Sequence, residues 1–181
     1  MADQSKLPES TTQPPVTVPL PVRYLVVIPG GYWQQSLIQS AKNQGFTIIV
    51  VDSNPNAPGF QVADHQIVAE LEDFEVISNE ILLITNTIVG AVSFCSDVGV
   101  ELSFYLNHLF KVQPQQFLEP ANFVSKSQQR KIWADAKILQ PNFKCFDNIE
   151  LAIGGCRLAT LPMVVKPVDS SGSRGVTILS G

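Results

Sequence analysis

"VRYLVVIPGGYWQQSLIQSAKNQGFTIIVVD", residues 22–52, carries a strand, a glycine turn, a helix and a second strand in immediate succession. "VRYLVVI" (22–28) is a near-continuous apolar run of strand length, broken by Pro29-Gly30-Gly31. "WQQSLIQSAKNQ" (33–44) puts Trp33, Leu37, Ile38 and Ala41 on one helical face, and Gly45 supplies a stop. "FTIIVVD" (46–52) is the second strand, closed by the turn-rich "SNPNAPG". Strands that are apolar on both faces and alternate with helices predict a parallel sheet with both faces covered.

The pattern continues in both directions along the chain. "HQIVAE" (65–70) reads as a short third strand and "FEVISNEILLITN" (74–86) as a helix. "IVGAVSF" (88–94) is a fourth strand, ending in Cys95-Ser96-Asp97, with a helix over about 98–110. Residues 22–121 therefore read as an α/β, Rossmann-like parallel-sheet domain. Upstream, residues 1–21 hold five of the thirteen prolines among Ser, Thr and Gln, a composition that predicts a disordered tail. Downstream, a second unit spans 122–181. Its first helix is "SKSQQRKIWADAKI" (125–138), with Ser125 and Gln128 spaced as a capping box. A strand near 143–147 and a helix near 148–154 follow. "LPMVVKPV" (161–168) and "GVTILS" (175–180) then predict a β-hairpin with an enlarged, small-residue tip.

Composition bounds the function. The 181 residues are 45% hydrophobic and 15% charged, enough apolar material for a core. A net charge of −4 with a pI near 5.1 argues against a nucleic-acid or anionic-membrane surface. No apolar run approaches the roughly 18 residues of a membrane helix, and no signal peptide is visible. Cys95, Cys145 and Cys156 are scattered, which fits a reducing, cytoplasmic compartment and predicts buried thiols.

The hairpin tip Asp169-Ser170-Ser171-Gly172-Ser173-Arg174-Gly175 combines sterically open amides, three hydroxyls and a guanidinium, a surface suited to phosphate oxygens. By period-two alternation Lys166 shares a strand face with Val164 and Val168 beside that loop. A solvated lysine next to a plain hairpin loop fits the same spacing. The loop is not a Walker A motif, because no Gly-Lys-Ser/Thr follows it. Asp52 ends the second strand about where a ribose-binding acid would sit, but Tyr32 and Gln35 stand where GxGxxG needs its second and third glycines. Gly30 and Gly31 at a helix start remain suited to a smaller anion such as a carboxylate. Asp97 reads equally as a cleft residue or a helix N-cap, and Glu101 as a solvated first-turn acid. His65 and His108 have no partner spacing for a metal or a triad, and no Ser/Cys–His nucleophile is apparent.

Together "GGYWQ" (30–34), "VVDSNPNAPG" (50–59), "CSDVGVE" (95–101), "SK" (125–126) and "MVVKPVDSSGSRGV" (163–176) resemble the ATP-grasp superfamily. That group includes biotin carboxylase, carbamoyl-phosphate synthetase and many carboxylate–amine ligases. The resemblance covers about 22–181 and implies a pre-ATP-grasp domain over 22–121, followed by the start of the α+β ATP-grasp domain over 122–181. It implies that Lys126, Lys166, Ser171, Gly172, Ser173, Arg174 and Gly175 bind ATP. Ser125 replaces the acid that usually precedes the first lysine. Gly30, Gly31, Asp52 and Asp97 would line the substrate side of the cleft. The implied reaction is activation of a small carboxylate by ATP and Mg²⁺ as an acyl phosphate, then attack by an amine. The metal-holding carboxylates of such enzymes lie beyond the glycine-rich loop, so the resemblance implies the N-terminal portion of a longer ligase, inactive alone. The alternatives are a NAD-type Rossmann module without catalysis and a degenerate interaction protein. Oligomeric state is open, a homodimer included.

Overall fold

The computed structural model describes residues 21–112, 119–170 and 172–180. Nearly all of the expected proline-rich tail (residues 1–20) and Ser171 lie outside the described residues. Strands β1 (Tyr24–Ile28), β2 (Thr47–Asp52), β3 (His65–Val68) and β4 (Gly90–Ser93) form one sheet in the order β3-β2-β1-β4. Every pairing is parallel, with Val26 opposite both Ile49 and Ala91. This is the parallel α/β architecture that the alternating strands and helices predict.

Alternation along the strands divides the core. Val26, Ile28, Ile49 and Val51 point to one face and meet Ile77 and Ile81 of helix α2 (Phe74–Ile84) and Leu102 and Leu106 of α3 (Val100–Leu109). Val27, Ile48 and Val50 point to the other and meet Ile38 and Ala41 of α1 (Gln35–Asn43), with Ala57 and Phe60 beside them. These strand side chains are fully buried, and removing one to alanine in such a core costs roughly 2–5 kcal/mol for a large aliphatic. A 3₁₀ turn, Tyr32–Gln34, precedes α1, and Gly45, at φ +78°, ends it.

Two polar devices lock the sheet. The edge strand β4 is closed by Asn107 of α3, whose Oδ1 accepts the Ala91 amide and whose Nδ2 donates to the Ala91 carbonyl, both at 2.7 Å. A side-chain amide thus replaces a further strand and blunts the edge. On the opposite side the Lys42 ammonium lies 2.8 Å from Asp64 Oδ1, while Asp64 Oδ2 accepts the Ile48 amide at 2.8 Å.

After Glu119 come α4 (Ala121–Val124), α5 (Lys126–Asp135), α6 (Ile149–Arg157) and an antiparallel hairpin of β5 (Met163–Val165) and β6 (Thr177–Leu179). Ser125 caps α5, its Oγ accepting the Gln128 amide at 3.3 Å. The Ser125 amide donates instead to Ala121 O at 3.0 Å, so the forward half of the capping box is in place. The expected strand at 143–147 is absent. Phe143 instead lies under the Arg130 guanidinium, and Phe146 packs where a Cβ on Gly155 would fall. Its aromatic side chains serve α5 and α6, and no strand runs alongside to pair with it. The hairpin strands are also shorter than expected, because Pro162 and Pro167 flank β5 and neither has an amide for the ladder. Lys166 therefore lies just past the strand, exposed. From 119 to 180 no described residue is buried, and Leu139 and Leu158 are 99% and 88% exposed. No helix among the described residues is long and apolar enough to cross a membrane.

Candidate functional site

The strand order reverses between β1 and β4, and ligands of open parallel sheets sit outside the carboxyl ends of the strands at such a point. Four connections meet there. The turn after β1 is held by Asp52 at the end of β2, whose Oδ2 accepts the Gly30 amide at 2.8 Å. Asp52 Oδ1 accepts the Asn54 amide at 2.8 Å, so the acid braces two loops at once. The Gly59 amide donates to Gly30 O at 2.6 Å, and a Cβ on Gly59 would sit 2.7 Å from that oxygen. A Cβ on Gly30 would lie 2.5 Å from Val50 Cγ1. Gly59 is demanded by the Gly30 backbone and Gly30 by the Val50 side chain. Gln34, 3% exposed, carries the bracing across to the β4 end by donating to Phe94 O.

Beyond β4 the chain turns through Cys95, at φ +53°, into α3. The N-cap of α3 is Gly99, and Asp97 contributes only its backbone carbonyl, to the Val100 amide at 3.2 Å. The capping role weighed for Asp97 is therefore corrected, since its carboxylate caps nothing and lines a cleft. Cys95 and Cys145 are exposed, contrary to the expectation of buried thiols, because both lie in connections outside the core.

The opposing wall comes from the second unit. The Lys126 amide donates to Val168 O at 3.0 Å and its ammonium donates to Ser170 O, tying the first turn of α5 to the hairpin loop. The loop runs from Lys166 to Val176 and turns on left-handed conformations at Gly172 (+63°), Ser173 (+59°) and Gly175 (+71°). At Gly175 a Cβ would also meet Pro167 Cγ at 2.8 Å. Phe104 of α3 and Phe123 of α4 touch across the two units with centroids 5.7 Å apart.

Between the walls lies a cleft of about 440 Å³. Glu72, Asp97 and Glu101 line its sheet side, and Val124, Asp169 and Arg174 its loop side. Of the residues singled out from sequence, Asp97 and Arg174 meet there, as does Glu101, which is exposed in the first turn of α3 as the sequence reading has it. Gly30, Gly31, Asp52, Lys126 and Lys166 are not among its lining residues. Glu72, Leu71 and Phe74, also on the wall, escaped sequence reading, although their place between β3 and α2 is a carboxyl-end loop. Four carboxylates and one guanidinium give the cleft an acidic balance beside the apolar Leu71, Phe74, Val98 and Val124. Among the described residues no group of three or more His, Cys, Asp or Glu can hold a metal ion.

Residues 23–94 match the ribonucleotide synthetase preATP-grasp domain. No curated protein matches the chain in sequence. Among solved structures, an N5-carboxyaminoimidazole ribonucleotide synthetase in complex with ADP is 20% identical with a TM-score of 0.72, over 91% of this chain and 42% of that one. The synthetase of the same name from Thermotoga maritima is 25% identical with a TM-score of 0.64, over 88% of this chain and 41% of that one. An L-amino acid ligase from Bacillus licheniformis is 17% identical with a TM-score of 0.70, over 88% of this chain and 38% of that one. The chain thus spans about two fifths of the length of the solved structures it matches.

Proposed function

We propose that this chain, which has the fold of the N-terminal part of ATP-grasp ligases and a pre-ATP-grasp domain at its start, serves an ATP-dependent ligase. The observation that carries this reading is the double tether of Lys126 to Val168 and Ser170, which joins α5 to the donor-rich loop. In this reading Lys126, Lys166, Ser171, Gly172, Ser173, Arg174 and Gly175 bind ATP. The lysines and Arg174 offset phosphate charge, and the left-handed turns of the loop leave amides open to phosphate oxygens.

Gly30, Gly31, Asp52 and Asp97 form the substrate side. Asp97 lines the cleft itself, while Asp52 acts on it by holding the Gly30 turn. The proposed reaction joins a small carboxylate to an amine. A carboxylate oxygen bonds to the γ-phosphorus as the bond to the β-phosphate oxygen breaks, releasing ADP. The amine, once it has given up its ammonium proton to solvent, bonds through nitrogen to the acyl carbon as the bond to the phosphate oxygen breaks. Phosphate leaves with that electron pair, and the nitrogen loses a further proton to give the amide. An acidic sheet wall suits the ammonium form of an approaching amine. Mg²⁺, which such chemistry uses, has no fitting ligand set among the described residues, and no step is assigned to it. The exposed apolar side chains after residue 119 support a unit that packs against further structure, and hence a chain that does not turn over ATP alone. The free thiols suit the reducing conditions of the cytoplasm.

Calorimetric titration with ADP tests the nucleotide site. Lys126→Ala and Lys166→Ala are each expected to weaken binding by about tenfold or more, the worth of a charge-assisted contact. Unchanged affinity in both variants would overturn the assignment. Phosphate release from ATP by the purified chain, abolished in Lys166→Ala, would overturn the proposed inactivity.

A further inference from the structure

The turn at the carboxyl end of β1 displays two large rings that the fold does not use. Tyr32 and Trp33 are 70% and 71% exposed, although they stand beside the sheet's switch point. Several other aromatic side chains of the sheet unit have partners, while Phe94, at the end of β4, is 42% exposed. Tyr24 lies against His65, Phe74 against Tyr105, and Phe60 is buried.

The backbone beneath the pair is clamped from several sides. Gly30 is bound to Asp52 and Gly59, and Gln34 donates its amide to Gly31 O at 3.2 Å and its side chain to Phe94 O. Gln35 Nε2 reaches Pro58 O at 3.1 Å. The rings are therefore presented on a braced turn, which limits the ordering entropy lost when something binds to them. Their mutual geometry is specific. The centroids are 5.8 Å apart and the planes cross at 83°, an edge-to-face T that leaves a right-angled corner between the two rings. A third ring entering such a corner can lie flat on one wall and meet the other edge-on, the two arrangements that aromatic quadrupoles favour.

We propose that Tyr32 and Trp33 are specificity-determining residues that hold a planar aromatic or heteroaromatic ring of the substrate. The proposal rests on the substrate-side reading of the Gly30–Gly31 turn. It assigns the ring to the small-molecule substrate because the corner sits at the ligand end of the sheet and accepts one flat group. A saturated ring of equal charge and similar size gains apolar contact there but not the stacked and edge-on pairing.

The test uses the full chain in a Trp133→Phe background, where Trp33 is the only indole. Benzoate and imidazole-4-carboxylate are titrated against cyclohexanecarboxylate, with Trp33 emission as the readout. The two aromatic acids are expected to quench saturably, with affinity about fivefold or more above the saturated acid. Tyr32→Ala should lower that preference to about unity while leaving the melting temperature unchanged. Equal affinity for the saturated acid, or no saturable response to any probe, overturns the proposal. So does a Trp33 spectrum that changes with protein concentration alone, which would mean that a second copy covers the pair. ADP titration of the same sample reports the nucleotide site separately, so intact ADP binding with no ring preference sinks only this inference.

Discussion

The Lys126 ammonium donates to the carbonyl oxygen of Ser170, forty-four positions further along the chain. Together with the amide bond to Val168, it makes the first turn of α5 the anchor of the hairpin loop. In Lys126→Ala the side-chain anchor is lost and the backbone bond remains. Loop amides over 172–176 are then expected to exchange about three- to tenfold faster in unliganded protein. Hydrogen exchange by mass spectrometry reads this directly, and identical rates would mean that the ammonium contributes nothing to loop order.

A second pair of groups controls the sheet edge. Asn107→Ala removes both partners of Ala91 at a buried edge and leaves its amide and carbonyl unpaired. The expected loss is about 2–3 kcal/mol, seen as a lower urea midpoint with an unchanged slope. Asn107→Asp keeps an acceptor for the Ala91 amide but not the donor to its carbonyl, and should also destabilise. A midpoint within error of the parent for Asn107→Ala would show that water replaces the side chain.

Much of this architecture is legible in the chain. The runs around Val26, Ile49 and Ala91 are apolar on both faces, which only a covered parallel sheet accommodates. Asn107 is not legible in the same way. Its spacing marks a helix, but its role depends on the register between α3 and β4. Lys166 reads as a strand residue by alternation, yet Pro167 ends the ladder before it. The run 143–147 has strand composition and no strand, because pairing needs a neighbour that periodicity cannot supply. The cleft follows the same rule. Asp97 and Arg174 could be singled out by their motifs, whereas Glu72 and Glu101 became wall residues only once two units were brought together.

The Lys42–Asp64 pair predicts a pH dependence. Burial raises the Asp64 pKa, but the Lys42 hydrogen bond, the Ile48 amide and the charges of Lys42 and His65 outweigh it, leaving the carboxyl below its ordinary value. Its stabilising contribution is therefore fully present above the unfolded pKa, about 3.9, and is lost as pH falls through the lower folded value. Both side chains are about one-third exposed, so solvent screening keeps the contribution to about 1 kcal/mol or less. Asp64→Asn should lower stability at pH 7 and flatten the acid limb below pH 4, measured as urea midpoints across pH. An acid limb as steep as that of the parent would place the titrating group elsewhere.

The contact between Gly59 and Gly30 gives the sharpest steric prediction. A methyl on Gly59 would sit 2.7 Å from Gly30 O and 2.9 Å from Gly30 Cα, against backbone that Asp52 and Val50 hold in place. Gly59→Ala is expected to cost about 1–3 kcal/mol, the usual range for overpacking a fixed site. The strain falls on the turn that carries Tyr32 and Trp33, so Trp33 emission should shift in the Trp133→Phe background even where the protein remains folded. Gly154, where an added Cβ meets nothing within 4 Å, supplies the control. Gly154→Ala removes a glycine from the interior of α6 without a clash and should be neutral or slightly stabilising. If the two variants melt together, the loops can part without penalty and the braced turn is not a rigid support.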